Sequence, residues 1–407
     1  MTGIFDTSDF VTDLAALSFA QMITRLMPNG TAPLFALTSM LSDKTAAQVE
    51  HGFFTKTMAF PEATINNGSG YTAGAVTFTV DAVTNMLPGM ILRVERTGEN
   101  ILIDSVTSTT VIVVTRSVGS VAAAALLDND MMYQVGNAFE EASVRPLANN
   151  IVPVRVTNLT QIFRNTWALS GTAQATEVIA GDSTEAENRT DCAAFHAADI
   201  EKATIFGQKS SSTRNGKPFR TSDGLLSIIE NASYYPASYG GSTNSFTAGS
   251  TTNWTQLEGF LDPVFDQATD PKGANERVLF VGGAAKRVLN NIGRLNGTYQ
   301  LMDGQTNFGL QFSTLTTSRG KFRLIEHPLF NSNTDWAKMA MAVDLPTFNL
   351  AYLKGRKTQS KEFNTSGVAS DDGIDAIGGT LTTEVTTEVH NPPANAVIRN
   401  LTAAAAG

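Results

Sequence analysis

Around residue 180 the spacing of apolar side chains changes from every second position to roughly every third or fourth. The run NLTQIFRNTWALSGTAQA from residue 158 alternates like a half-buried strand. After a short loop, TEAENRTDCAAFHAADIEKATIFGQK reads as one helix. Thr184 followed by Glu187 fits a capping box, Glu185 and Glu187 sit at the positive end of the helix dipole, and Lys202 with Gly207 suits the other end. The spacing predicts a helix over 185–206, roughly 33 Å long at about 1.5 Å per residue. Ala186, Ala193, Ala197, Ile200 and Thr204 fall on one side, a seam of small side chains that admits close approach. Phe195, Asp199, Lys202 and Phe206 fall on the other, with Asp199 and Lys202 spaced as an ion pair. A helix with contacts to make on both sides suits either a central helix of a layered domain or a subunit packed on all sides in an assembly.

Elsewhere the pattern is mixed. Phe10, Leu14, Leu17, Ile23 and Leu26 predict an amphipathic helix over 8–27, ended by Pro28-Asn29-Gly30. From there to about residue 50 the chain reads as an arm laid on another surface, and 51–60 reads as extended. Within 71–140, strand-like alternation at 76–80, 90–95, 101–103 and 112–114 is broken by Pro88-Gly89, Gly98 and Ser108. That is the spacing of a small β-barrel or sandwich, with a marginal core. Farther on, TTNWTQLEGFLDPVFDQATD predicts a helix disturbed at Pro263, and GANERVLFVGGAAKRVLNNIGRL predicts strand, turn and helix. KFRLIEHPLF and AKMAMAVDLPTFNLAYL read as strands, and 366–378 as a loop before a final strand. Strands and helices without regular alternation indicate an α+β fold.

Several strings along this pattern are shared with a known family. They are Ile162-Phe163-Arg164, Trp167 through Ala173, Ala186-Glu187-Asn188-Arg189, His196, Asp199-Ile200-Glu201, Ile205 through Lys209, Asn215-Gly216-Lys217-Pro218, Arg220-Thr221 and Asp223-Gly224-Leu225. Upstream are Met27 through Phe35 and His51 through Met58, and downstream Thr380-Leu381 through Glu388-Val389-His390-Asn391. Together they resemble the major capsid proteins of tailed bacteriophages, which have the Hong Kong 97 type of fold. The likeness leaves out roughly 70–140. It implies an amino-terminal arm over 1–50 and an extended loop built from 51–70 and 141–175, whose strands form a long hairpin reaching over a neighbour. It further implies a peripheral domain, from 176–270 and 351–407, with 185–206 as its spine helix, and an axial domain over 271–350. The segment 71–140 would be a small all-β insertion.

Composition is that of a globular chain. The 407 residues are 42% hydrophobic and 16% charged, and exceed what one core usually organises. The single cysteine, Cys192, excludes an intrachain disulfide and reads as a buried, inert thiol. A net charge of −9 argues against tight binding of nucleic acid through phosphate neutralisation, yet suits a shell that encloses DNA without gripping it. The first residues carry Asp6, Asp9 and Asp13 with no basic stretch, unlike a signal peptide, and no apolar run is long enough to span a membrane.

Catalytic and ligand motifs are missing: the chain has no Walker pattern, nucleophile elbow, zincin helix or paired cysteines. Gly282-Gly283 before a helix with Lys286 and Arg287 lacks the remaining phosphate-loop residues and reads as a tight turn into a packed helix. His51, His196, His327 and His390 are scattered, and Asp371, Asp372 and Asp375 do not match a calcium loop. No cofactor and no metal is expected. Two basic clusters stand out, Lys209, Arg214, Lys217 and Arg220, then Lys354, Arg356, Lys357 and Lys361; each could meet DNA phosphates or acidic patches on neighbouring copies. The candidate subunit contacts are Phe195, Asp199, Lys202 and Phe206 on the helix and Arg164 and Trp167 on the strand before it.

The expectation is therefore a non-enzymatic capsid subunit that forms hexamers and pentamers in a closed icosahedral shell around double-stranded DNA. Its partners would be copies of itself, weakly held DNA, and scaffolding, portal or decoration proteins, and it would be assembled in the host cytoplasm. An α+β enzyme with an appended β-domain would need a convergent polar site, and an adhesin would need a secretion signal; the sequence offers neither.

Overall fold

The computed structural model describes residues 44–56, 61–148, 153–176, 184–235, 242–266, 275–296, 303–307, 310–363 and 375–405. The helix expected over 8–27 and the acidic positions Asp371 and Asp372 lie outside them. The chain divides into two compact units. The larger takes residues up to Phe53, Thr157–Tyr234 and Thr243–Gly407; the smaller takes Phe54–Val156 with Tyr235–Ser242.

The larger unit is mixed α+β and contains two sheets. One is organised by the 14-residue strand Ala376–Val389. Along one edge it pairs antiparallel with Gln161–Ser170 over all ten residues of that strand. Its other edge is shared in succession by Gln359–Phe363 and Phe348–Leu353, and Lys44–Ala46 adds a parallel strand beyond the latter. The alternation read in 161–170 is real: Phe163, Trp167 and Leu169 are buried while Ile162, Arg164 and Ala168 are exposed. The helix Thr184–Phe206 packs on this sheet, in contact with both Gln161–Ser170 and Ala376–Val389.

The second sheet has seven strands in the order Ser245–Thr247, Ala396–Arg399, Ala340–Val343, Glu276–Val281, Lys321–Glu326, Leu310–Thr316 and Asp303–Asn307. Its central strand reads VLFV without alternation because both faces are covered. Val278 and Phe280 join a core with Ile200, Ile205, Leu225, Ile229, Phe348 and Leu350, which the two sheets share. Leu279 and Val281 face a second core, filled by the helices Trp254–Leu261 and Gly283–Asn296 through Leu257, Leu261, Ala285, Leu289 and Ile292. Asn253 and Gln256 form a full capping box on the first helix, and Pro263 turns its end into a 3-10 segment, Asp262–Phe265.

The smaller unit holds a six-stranded sheet in the order Glu62–Thr64, Met131–Asn137, Met90–Val94, Asn100–Val106, Val111–Thr115 and Thr77–Thr79. Ile65 bridges Val80, and Asn66 N donates to Thr79 O at 3.0 Å, so the first and last strands meet and the sheet closes on itself. Among the described residues its interior is built from those between Ala63 and Met132, including Ile65, Phe78, Leu92, Ile101, Ile103 and Ile112.

Several expected boundaries move. The barrel starts at Glu62, not at 71, because Ala63 and Ile65 belong to its core. Residues 161–170 do not pair with the strand near 51–60. Glu50–Thr55 pairs instead with Val154–Leu159, while three apolar side chains draw 161–170 into the large sheet. The seven-stranded sheet takes 245–247 and 396–399 from outside 271–350 and leaves 348–350 to the other sheet. Lys44–Ala46, expected in the arm, is a sheet strand with Ala46 buried. Ala376–Val389 is not the last strand, since Ala396–Arg399 follows.

Candidate functional site

The spine helix starts one residue before the expected 185, with Thr184 already in its first turn. Its buried row is Cys192, His196, Ile200 and Thr204, each four residues from the next, with Glu201 and Ile205 beside it. Of the expected small-residue seam, Ile200 and Thr204 lie in this row, while Ala186 and Ala193 are exposed. A row this polar can be buried because each polar group is answered. His196 Nδ1 lies 2.7 Å from Asn165 Oδ1 and its Nε2 lies 2.7 Å from Thr383 Oγ1. Thr204 Oγ1 donates to Ile200 O at 2.8 Å, and Glu201 Oε1 lies 2.8 Å from His327 Nε2 with both side chains almost wholly buried. Burial pushes the Cys192 thiol above its ordinary range, as for an inert core cysteine.

The helix candidates separate into inward and outward groups. Phe206 stacks on Trp336 with ring centroids 4.2 Å apart. Phe195 is 66% exposed, so the subunit does not bury it. Lys202 Nζ lies 3.7 Å from Asp199 Oδ1, and Asp199 also accepts from Asn165 Nδ2 at 3.1 Å. On the neighbouring strand Arg164 is exposed, but Trp167 is only 6% exposed. The Arg189 guanidinium covers the Trp167 ring at 4.9 Å and Gly379 lies against it from the opposite strand. Trp167 is therefore a core residue of its own subunit, which corrects its assignment as a subunit contact.

The first basic cluster lies around an exposed hairpin. Ser210–Arg214 pairs antiparallel with Lys217–Thr221, and every residue from 210 to 219 is exposed. Asn215 at φ 51° and Gly216 at φ 71° make the tight turn. Arg214 and Lys217 stand directly opposite each other next to the turn, and Arg220 is half-buried at its base. Lys209 donates to Thr157 O at 2.7 Å and to its hydroxyl at 3.0 Å, so its charge is partly engaged. In the second cluster Arg356 pairs with the buried Glu384 at 2.6 Å, and Lys357 Nζ lies 5.4 Å above the Tyr352 ring. Lys354 and Lys361 are exposed.

Gly283 N donates to Asn331 Oδ1 at 2.7 Å and Lys286 pairs with Glu326 at 3.1 Å, so the turn at 282–283 is capped from within. No group of metal-binding side chains occurs among the described residues.

Two features escaped the sequence reading. His51 and His390 both direct Nε2 at the Glu388 carboxylate, and Phe53 stacks on His390 at 4.8 Å. Burial raises the Glu388 pKa, but the hydrogen bonds from His390 and His51 outweigh it and hold the carboxyl below its ordinary value. A separation of 337 residues between His51 and Glu388 gives no local signal. The other is the strap 138–148, exposed at every position and carrying Phe139, Val144 and Leu147. Apolar residues beside Glu140, Glu141 and Pro146, in a run without either period, were its available signal.

These surfaces belong to a chain whose relatives are known. A family model described as SU10 major capsid protein matches residues 5–402. The major capsid protein of Pseudomonas phage PaMx41 is 35% identical over 408 residues, covering 98% of this chain and 96% of that one. Solved structures similar in fold include a chain of Mycobacterium phage Bobi, with TM-score 0.48 and 9% identity over 98% of this chain and 99% of that one. The capsid of a native GTA particle gives TM-score 0.49 and 10% identity, with 97% of both chains covered. With the family model spanning nearly the whole sequence and a relative this similar over its full length, the chain belongs to the SU10 major capsid protein family, whose members build the phage capsid.

Proposed function

We propose that this capsid protein assembles through hexamers and pentamers into an icosahedral shell that encloses double-stranded DNA. The observation that carries the reading is the apolar surface the subunit leaves uncovered. Phe54 is 71% exposed, Phe195 66%, Leu147 69% and Val144 88%, on separate parts of the chain. Uncovered apolar side chains at several places suit a subunit with several neighbours. The net charge of −9 favours weak, non-specific contact with packaged DNA over tight binding. The roles of the parts follow the family likeness: the spine helix stiffens a peripheral domain, the seven-stranded sheet forms the axial domain at capsomer centres, and the barrel braces adjacent capsomers. Assembly would take place in the host cytoplasm, with scaffolding, portal or decoration proteins as further partners.

Light scattering and electron microscopy of purified protein test this. Megadalton particles or discrete capsomers are expected, formed alone or with a scaffolding partner. Protein that stays monomeric with that partner supplied overturns the reading.

A further inference from the structure

Two segments of this chain carry charge without an ion-pair partner among the described residues. At the hairpin tip Arg214 and Lys217 face each other in register. Like charges directly opposite weaken a strand pair, and a two-stranded ribbon has little stability of its own to offset that. Neither side chain has an acidic partner among the described residues. The next pair inward on the same face is Ser212 and Phe219, and the Phe219 ring is also exposed. The tip thus offers two cations followed by an aromatic surface.

The strap after the barrel offers the complement. Ala138 N donates to Gly89 O at 2.9 Å and the Phe139 ring lies over Gly89, so the strap is anchored at its start. Beyond that point Ser143 N donates to Glu140 O at 3.3 Å, a bond within the strap. Glu140 and Glu141 are adjacent, exposed carboxylates without an ion pair among the described residues, and Val144 and Leu147 follow them uncovered. Both segments therefore present charge first and apolar surface next, with opposite sign.

We propose that Glu140 and Glu141 of one copy dock on Arg214 and Lys217 of a neighbouring copy, with Val144 covering Phe219. The proposal rests on the assembly reading above and names the surfaces that meet in it. A second copy suits the tip better than nucleic acid. The tip has few cations on a chain of net charge −9, and a phosphate backbone supplies nothing to cover Phe219, Val144 and Leu147.

Charge reversal tests the pairing in full-length chains under conditions where the parent assembles. All four side chains are exposed, so the variants should keep the parent's melting behaviour. Arg214→Glu with Lys217→Glu, or Glu140→Lys with Glu141→Lys, should each slow particle formation at low salt by about tenfold or more. The chain carrying all four reversals should recover to within a few-fold of the parent. Normal particles from both double variants, or a quadruple variant no better than the doubles, overturn the pairing and leave the assembly reading intact. Shells that form at the parent's rate but hold less DNA make nucleic acid the anion and overturn it as well. A parent that forms no particles overturns the assembly reading and this one with it.

Discussion

Gly379 lies directly across the sheet from Trp167, and a Cβ built on it would sit 2.7 Å from the indole nitrogen. The neighbouring Gly378 is equally tight, with a Cβ there 2.3 Å from the Phe363 ring. Bare backbone at these two positions lets two aromatic side chains lie flat on the long strand. Gly379→Ala should destabilise the subunit by about 1–3 kcal/mol through overpacking. Denaturant unfolding of the unassembled subunit measures this, and an unchanged midpoint would show that the indole shifts without cost.

His196 provides a pH dependence. Burial pushes its pKa below the ordinary 6.5, against a smaller upward pull from Asp199. The unfolded chain then binds this proton more readily than the folded one. The stability that His196 contributes is complete above about pH 6.5 and is lost as pH falls towards the depressed folded value. In His196→Gln the slope of stability against pH just below 6.5 should be shallower by at most about 1.4 kcal/mol per pH unit. Equal slopes in parent and variant would mean that His196 takes up its proton without loss of the Thr383 contact.

Phe195 should behave as a surface residue of the free subunit. Phe195→Ala is expected to change subunit stability by no more than about 0.5 kcal/mol. Its effect should appear as slower or less stable assembly, read by light scattering. A melting loss of several kcal/mol in the free subunit would contradict the exposure described above.

The barrel can be tested alone, because among the described residues its core draws on 63–132. A fragment spanning 61–138 should fold cooperatively. Within it Arg116 pairs with the fully buried Glu99 at 2.6 Å, and Glu99 also accepts from Ser117 N and Ala124 N. Burial raises the Glu99 pKa, but Arg116 and the two backbone groups outweigh it and hold the carboxyl below its ordinary 4.5. The stability from this group is present above about pH 4.5 and falls away as acid is added. Arg116→Met should cost about 3–5 kcal/mol by leaving the carboxylate buried and unpaired, and thermal melting of the fragment would show whether it does.

Local pattern made much of the fold legible. Alternation found 161–170 but ran past both ends of that strand, the acids Glu185 and Glu187 marked a helix that starts one residue earlier than expected, and Pro263 marked the end of its helix. What stayed hidden depended on distant partners. The faces read for the spine helix included Ile200 and Thr204 but left out His196 and Glu201, polar side chains that can be buried only because Asn165, Thr383 and His327 satisfy them. Trp167 looked like a contact residue because nothing in its own neighbourhood announces Gly379. The candidate surfaces were partly visible: the hairpin cations were read from composition, while the strap was missed because exposed apolar residues outside regular structure carry no period.

The long strand Ala376–Val389 also imposes an order on synthesis. Asn158 donates to Thr387 O across 229 residues, and every described strand of its sheet needs it directly or through one neighbour. Closing so long a loop is slow, and until it closes the apolar face of 161–170 has no sheet to join. A chain emerging from the ribosome therefore cannot complete the seat of its spine helix before residue 389 is made. The fold acts as a length check: a product truncated upstream of the strand lacks the platform that holds the helix.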